Sequence, residues 1–355
     1  MTAARLVARC VRGLEAAVAA EILQAGDTTI TRIGHREVHY RASAAVMPRI
    51  ADDVFLLAAR WPDIGAGRQG LAALAGLAAS ADARALTRLR ERYAGPVPVT
   101  GVEVSASFLG RRNFTRYDAE DATGPVLARR LGVPYHSRRA GAVPAATGGG
   151  WRLTLDGESA TLMLRAAPRP LHRRPYKQAG LPGTLHPPVA AAMARLAGLQ
   201  PGHTVLDPCC GAGTLLAEAY LHQPECVPRG YDLSPAAVHA ARANTAAATG
   251  TGPPITVERA DAGRLPVADG TVDRVLCNPP WGGQVPPGGL LARSASAWWA
   301  GLRRVLAPGG AAVVLLPGAA DIAAGIGHGF VPEHVQRIRL SGAQPYIARF
   351  AVPGR

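Results

Sequence analysis

Hydrophobic residues in the first sixty positions of the chain follow two spacings, one helical and one extended. Apolar side chains three or four residues apart predict helices over residues 14–23 and 44–59. Between them, residues 29–33 and 37–40 form short runs with β-branched and aromatic side chains, which are typical of strands. This alternation predicts a small α+β unit over residues 1–60.

The pattern over residues 61–170 predicts a second α+β unit that ends in a hairpin. An Ala- and Leu-rich run over residues 71–93 and another over residues 119–131 predict helices. Residues 102–108 alternate apolar with polar side chains, as a half-buried strand does. Two more strand-like runs flank Asp156-Gly157, a dipeptide that favours a tight hairpin turn.

The last part of the chain predicts a different architecture. Residues 171–188, rich in Pro, Arg and His, are interpreted as a linker, and residues 189–355 as one domain. Helical and strand-like runs alternate there, which is typical of a mostly parallel sheet with helices on both faces, a Rossmann-like α/β fold. The predicted helices are 189–197, 214–221, 235–245 and 298–306, and the predicted strands are 204–206, 228–232, 255–259, 272–276 and 311–316.

The distribution of charge along the chain indicates what kind of partner the protein binds. The 355-residue chain carries a net charge of +14, and residues 1–185 hold 26 Lys and Arg against 15 Asp and Glu. No acidic residue lies between Glu158 and Asp207. A GC-rich genome would explain why nearly all basic residues are Arg, but not why acids are missing from one stretch. The imbalance therefore favours a polyanionic partner such as nucleic acid.

The cysteines and the hydropathy of the chain argue against a zinc-binding, disulfide-bonded or membrane-spanning protein. The five cysteines have neither the paired spacing of a zinc site nor the even number of a disulfide framework, so we expect reduced thiols and no metal. No apolar run reaches the ~20 residues of a membrane span. The N-terminus lacks the apolar block of a signal peptide. We expect a cytoplasmic, monomeric protein without membrane contact.

The first candidate site is a strand–turn–helix motif. An apolar strand ends at Asp207, turns through Gly211 and Gly213, and leads into a predicted helix. Glycines let a ligand approach the backbone closely, and the helix N-terminus supplies free N–H donors. The motif consists of Asp207, Pro208, Cys209, Cys210, Gly211, Ala212, Gly213 and Thr214. Because many Gly-x-Gly pairs are only tight turns, this motif needs support from elsewhere.

Two acidic residues at later strand ends supply that support. Asp232, followed by Leu233, ends the second strand of the domain, where a carboxylate can accept both hydroxyls of a ribose. Asp261, followed by Ala262, ends the third, where it can bond an adenine amino group. Either aspartate alone could instead cap a helix. Together they predict a nucleoside-containing cofactor at the carboxyl edge of the sheet.

The most specific motif is Asn278-Pro279-Pro280-Trp281, which follows the fourth strand. The Asn278 side-chain oxygen and a prolyl carbonyl can accept two hydrogen bonds from a planar amino group. Those bonds direct the nitrogen lone pair at a methyl sulfonium. The indole of Trp281 offers a face for base stacking. The motif predicts methyl transfer to an exocyclic amino group by positioning, without a general base.

These motifs resemble those of class I S-adenosylmethionine-dependent methyltransferases, and more narrowly the THUMP-domain RNA methyltransferases that make N2-methylguanosine. The resemblance implies a ferredoxin-like unit over residues 1–60 and a THUMP-like RNA-binding module over 61–170. It also implies S-adenosylmethionine as cofactor and structured RNA as partner, with transfer RNA expected first and ribosomal RNA second. Trp281 stands where the family more often has Tyr or Phe, which preserves stacking but changes pocket size.

The resemblance also implies a role for each motif residue. Asp207, Gly211 and Gly213 would hold the methionine end of the cofactor, Asp232 its ribose and Asp261 its adenine. Pro208, Cys209, Thr214, Leu233, Ala262 and Asn278 complete the expected cofactor site. Asn278, Pro279, Pro280 and Trp281 would bind the target base. The linker residues Arg173, Arg174 and Lys177 are expected to contact RNA.

Three other functions fit parts of the sequence less well. The Asn-Pro-Pro-aromatic motif also serves adenine-N6 methyltransferases of RNA or DNA and protein glutamine-N5 methyltransferases, but a protein substrate would not need the basic half. A nicotinamide oxidoreductase would need a third small residue after Gly213, where Leu216 stands. An RNA-binding protein with an inactive methyltransferase domain would not retain the complete motif set.

Overall fold

The computed structural model describes residues 3–139, 141, 147–282 and 285–353. Contacts divide the chain into two units, the first made of Met1–Cys10 and Glu15–Leu171 and the second of Val11–Leu14 and His172–Arg355. The linker predicted over residues 171–188 therefore falls almost entirely in the second unit.

The first unit is built on one seven-stranded sheet with the order β2-β3-β1-β4-β7-β6-β5. Its strands are β1 (Ala4–Arg9), β2 (Thr28–Gly34), β3 (Glu37–Ala42), β4 (Asp53–Pro62), β5 (Glu103–Phe108), β6 (Gly150–Leu155) and β7 (Ser159–Arg165). Its helices are α1 (Glu15–Gln24), α2 (Leu71–Ser80), α3 (Ala83–Ala94) and α4 (Arg116–Leu131), with a short 3-10 helix at Arg68–Gly70. The sheet runs through both predicted N-terminal segments, and their division at residue 60 stays a prediction.

Several predicted elements of this unit are confirmed. The hairpin forms with β6 antiparallel to β7, and Gly157 in its turn has a φ of +93°. Helix α4 ends at Gly132, which adopts the left-handed conformation that glycine tolerates best. The long helix expected over residues 71–93 is interrupted at Asp82, whose side chain accepts the N–H of Ala85 and begins a new helix.

The helix predicted over residues 44–59 is wrong. This segment contains the start of β4, which lies in the middle of the sheet between β1 and β7. The start of this strand is buried on both faces of the sheet, since the consecutive residues Val54, Phe55 and Leu56 are all buried. A short continuous run of this kind matches a helical stripe by chance, and β-sheet pairing decides the outcome. Strand β1 was also not predicted.

The second unit contains the predicted α/β fold. Its seven-stranded sheet has the order β10-β9-β8-β11-β12-β14-β13, and the first five strands are parallel. The strands are β8 (Thr204–Asp207), β9 (Val227–Asp232), β10 (Thr256–Arg259), β11 (Val272–Cys277), β12 (Leu306–Leu316), β13 (Val331–Arg337) and β14 (Tyr346–Ala351). The helices are α5 (Pro187–Leu196), α6 (Thr214–His222), α7 (Pro235–Thr249), α8 (Ala295–Val305) and α9 (Ala319–Gly327).

The strand order explains where a ligand can bind in this unit. β8 lies in the centre, and the chain turns outward to β9 on one side and to β11 on the other. Helices on opposite faces leave a crevice at such a reversal, outside the carboxyl ends of the strands. Asp207 and Asp232 are the last residues of β8 and β9, and Asn278 directly follows β11. The predicted motifs therefore share one edge of the sheet.

Candidate active site

The two glycines of the strand–turn–helix motif meet different surroundings. Gly211 has a φ of +50°, and a Cβ added there would meet no protein atom within 4 Å. Gly213 has a φ of +74°, and a Cβ there would lie 3.1 Å from the Cβ of Ala241 on α7. Gly211 therefore borders open space, whereas Gly213 permits close helix packing. Thr214 begins α6 and is buried.

Two carboxylates flank this turn, and one is almost completely buried. Asp207 is 1% exposed, and its carboxylate accepts the backbone N–H of Cys209 at 3.1 Å. Burial raises the pKa of Asp207 well above its usual range, and the nearby Asp232 carboxylate adds to the rise. Asp232 is half-buried and accepts the N–H groups of Gly211 and Ser234, both at 2.9 Å. Because a single backbone N–H donates to the buried Asp207 carboxylate, that carboxylate suits a cationic ligand group.

The third predicted acid connects two parts of the site. Asp261 accepts the N–H of Gly263 and, through its other oxygen, the N–H of Leu290, both at 2.9 Å. Leu290 lies in the segment that follows the Asn278 motif, so Asp261 fixes that segment to the end of β10. Leu233 is 40% exposed, which leaves an apolar surface beside the carboxylates, whereas Ala262 is buried in the core.

The motif Asn278-Pro279-Pro280-Trp281 lies directly after β11. Asn278 is half-buried, and its side-chain amide makes no hydrogen bond to any residue in the described ranges. Pro279 is buried and Pro280 half-buried, which fixes the backbone after the strand. Trp281 donates its indole N–H to the carbonyl of Leu315 on β12 at 3.2 Å. The indole is thus anchored at one edge, while the Asn278 oxygen can accept a hydrogen bond from a ligand.

One of the three basic linker residues lies in an enclosed ion pair. Arg174 is buried, and its Nε donates to Glu218 Oε1 on α6 at 2.8 Å. The same carboxylate oxygen accepts the hydroxyl of Tyr176 at 2.9 Å. Its guanidinium is enclosed and paired, which argues against the predicted contact between Arg174 and RNA, but that contact stays untested. Arg173 and Lys177 are both exposed.

A second buried anchor was missed by sequence reasoning. Asn244 on α7 is fully buried, and its oxygen accepts the N–H groups of Gln178 and Ala179, both at 2.8 Å. Its NH2 group donates to the carbonyl of Ala212 in the glycine turn at 2.8 Å. The linker and the turn are thus joined through one side chain. An isolated Asn in an alanine-rich helix is the sequence signal that could have indicated it.

Similarity to known proteins now decides the family. Residues 174–338 match the RMKL-like methyltransferase domain. The chain is 34% identical over 268 residues to the tRNA (guanine(6)-N2)-methyltransferase of Thermus thermophilus, which covers 72% of this chain and 76% of the relative. The chain belongs to the RMKL-like methyltransferase family. The family resemblance inferred from the motifs is confirmed, and so is the α/β methyltransferase fold.

Two further matches place this methyltransferase more closely. It aligns with the crystal structure of TrmN from Thermus thermophilus with a TM-score of 0.74 and 28% identity, over 98% of this chain and 99% of that one. It is 36% identical over 148 residues to the U6 snRNA (guanine-N(2))-methyltransferase THUMPD2 of Bos taurus. That match covers 41% of this chain and 28% of THUMPD2.

The methyl donor of this family, S-adenosylmethionine, fits the site. Its amino-acid end carries an ammonium group, which matches the buried and under-compensated carboxylate of Asp207. The open space beside Gly211 lets a ligand reach the backbone of the turn. In the described ranges, no group of three or more His, Cys, Asp or Glu residues is placed to hold a metal. None of the described helices is long and apolar enough to cross a bilayer.

Proposed function

We propose that this methyltransferase methylates the exocyclic N2 nitrogen of a guanine in transfer RNA. The observation that carries the proposal is Asn278, whose side-chain amide has no partner in the described ranges and lies at the same sheet edge as Asp207 and Gly211. The name of the Thermus thermophilus relative, a tRNA guanine-N2 methyltransferase, supports the base and the RNA class.

The residues of the cofactor side hold and orient the donor. We assign the methionine end to Asp207 and the glycine turn, the ribose to Asp232 and the adenine to Asp261. When bound, S-adenosylmethionine supplies a methyl group that is already activated by its sulfonium. The buried carboxylate of Asp207 would pair with its ammonium group and so hold the donor in one orientation.

The residues of the acceptor side position the nitrogen. The Asn278 oxygen and the Pro279 carbonyl accept the two N–H groups of the amino group, while Pro280 restricts the backbone and the Trp281 indole stacks on the base. These bonds direct the nitrogen lone pair at the methyl carbon. The bound donor would supply the methyl group to this nitrogen and keep its sulfur as a neutral thioether, and the extra proton on nitrogen would pass to water. The rate gain comes from positioning and hydrogen bonding.

The basic N-terminal half is proposed to bind the RNA by its shape and phosphates. Residues 1–185 carry the larger share of the net positive charge. We retain the assignment of residues 61–170 as a THUMP-like module and of residues 1–60 as a ferredoxin-like unit. Arg173 and Lys177 remain proposed RNA contacts because both are exposed on the linker.

The direct test is transfer of labelled methyl groups to bulk transfer RNA from a strain lacking the gene, followed by nucleoside analysis. Label in N2-methylguanosine would support the proposal. Label in N6-methyladenosine would overturn the base, and label only in ribosomal RNA would overturn the substrate.

An Asn278→Ala variant tests the assigned chemistry. We expect methyl transfer to fall by about a hundredfold or more, the usual effect of removing one catalytic hydrogen-bonding group. S-adenosylmethionine affinity, measured by calorimetry, should fall much less than transfer does, because Asn278 only borders the expected cofactor site. Asn113→Ala, at an exposed position of the first unit, is the matched control. Equal loss of cofactor affinity and transfer would contradict the role given to Asn278.

A further inference from the structure

Three polar side chains lie together on one face of the N-terminal sheet. Strands β5 and β6 are parallel, and their register places Ser105 beside Arg152 and Ser107 beside Thr154. The Arg152 guanidinium donates to the hydroxyl oxygen of Ser105 at 2.9 Å and to that of Ser107 at 2.6 Å. All three residues are half-buried, so the cluster remains partly open to solvent. We call Ser105, Ser107 and Arg152 the arginine–serine recess.

Within the described ranges, no carboxylate forms a direct ion pair with the positive charge of this recess. Neighbouring arginines each reach a carboxylate, in the pairs Arg9–Glu37 at 2.6 Å, Arg36–Asp52 at 3.4 Å and Arg138–Glu120 at 3.4 Å. Within the described ranges, Arg152 has no carboxylate within 4.0 Å. Burial lowers the pKa of Arg152 to about 9; the charges of Arg9, Arg36 and Arg138 add to this, and the Glu37 carboxylate opposes it. A partly buried guanidinium that has no ion-pair partner can accept an anionic ligand.

Hydrogen-bond donors in the recess are also unused. Each serine oxygen accepts from Arg152, so each hydroxyl proton is left to donate to something else. Neither hydroxyl finds an acceptor among the residues that the structure describes. The Nε of Arg152 is buried and has no hydrogen-bond partner there either. A fixed positive charge beside two free hydroxyl donors is the chemistry that a phosphate group requires.

We propose that the arginine–serine recess binds a phosphate group, and that this phosphate belongs to the backbone of the RNA substrate. The proposal rests on the proposed function for the RNA, but not for the phosphate chemistry. The carboxylate partners of Arg9, Arg36 and Arg138 offset those three charges, which leaves Arg152 as the charge available to an anion.

Two variants and one control separate this role from a structural one. Arg152→Met removes the charge and keeps an unbranched side chain, and Ser105→Ala with Ser107→Ala keeps the charge and removes the donors. Arg88→Met, at an exposed position on α3, loses the same charge outside the recess. Each protein is unfolded by heat in sodium phosphate and in sodium chloride of equal ionic strength.

We expect inorganic phosphate to raise the Tm of the wild type and of Arg88→Met, and not to raise it in either recess variant. In chloride, Arg152→Met should be at least as stable as the wild type, because an uncompensated charge has been removed. Lower stability in chloride together with a retained phosphate effect would overturn the proposal and make Arg152 a structural residue.

Binding of transfer RNA then identifies the source of the phosphate. Arg152→Met should weaken RNA binding about tenfold and reduce the slope of log affinity against log salt by about 0.9, the effect of one lost phosphate contact. Methyl transfer should show a raised KM with kcat unchanged. A phosphate-dependent Tm with unchanged RNA affinity would overturn the RNA assignment in favour of a free anion. Wild-type protein that methylates no transfer RNA would refute the proposed function but leave the phosphate result intact.

Discussion

The pairing of Arg174 with Glu218 predicts a large and selective effect on stability. Their side chains are 6% and 0% exposed, and the atoms joined lie 2.8 Å apart. Replacing Glu218 with Ala would leave the Arg174 charge enclosed without its partner. Breaking a buried pair in this way costs about 3–5 kcal/mol. For a unit of this size, that loss lowers the Tm by about 10 °C.

Other changes to the buried cluster of Arg174, Glu218 and Tyr176 should lower the free energy of unfolding by smaller amounts. Tyr176→Phe removes one hydrogen bond to the same carboxylate and should cost about 1.5 kcal/mol. Replacing Arg174 and Glu218 together with Met should cost less than Glu218→Ala alone, because no unpaired charge remains. Urea unfolding and scanning calorimetry on the full chain measure each value. Arg173→Ala is the control, and its exposed position predicts a change within about 0.5 kcal/mol.

Two results would contradict the stabilising role of the Arg174–Glu218 pair. If Arg174→Ala left stability unchanged and weakened binding of transfer RNA, the guanidinium would be an RNA contact and the anchoring role would be wrong. If Glu218→Ala lost stability but the double Met variant lost more, the side chains would act through packing volume and not through charge.

Two further predictions concern the cofactor side of the site. Because burial raises the pKa of Asp207, the carboxylate loses its charge as the pH falls through that raised pKa, and S-adenosylmethionine affinity should fall with it. The Asp207→Asn variant should bind the cofactor weakly at every pH. If calorimetry gave the same pH profile for this variant and the wild type, the pairing of Asp207 with the ammonium group would be wrong. Gly213→Ala should lower the free energy of unfolding in urea by about 2 kcal/mol, because Gly213 has a positive φ and contacts Ala241. Gly211→Ala should lower it by about 1 kcal/mol and mainly weaken cofactor binding. The reverse ranking would contradict the surroundings assigned to the two glycines.

The common position of the motif residues at one sheet edge could be predicted because it follows from local rules. Asp207 and Asp232 end parallel strands, and Asn278 follows one, so a correct strand assignment brings them to a common edge without knowledge of long-range contacts. Strand β4 could not be predicted in the same way. Its apolar run is compatible with a helix or a strand, and only its pairing with β1 and β7 decides between them.

Adjacent basic residues show why charge alone does not assign an RNA contact. Arg173 and Arg174 are neighbours in the sequence, yet one is exposed and the other is enclosed against Glu218. The carboxylate that separates their roles lies on another element, far along the chain, and no local pattern reveals it. The same holds for Arg152, whose nearest partners are serines on a neighbouring strand. For an anion site, the informative property is therefore a positive charge that the folded protein does not neutralise, and the number of basic residues in the sequence is a weaker guide.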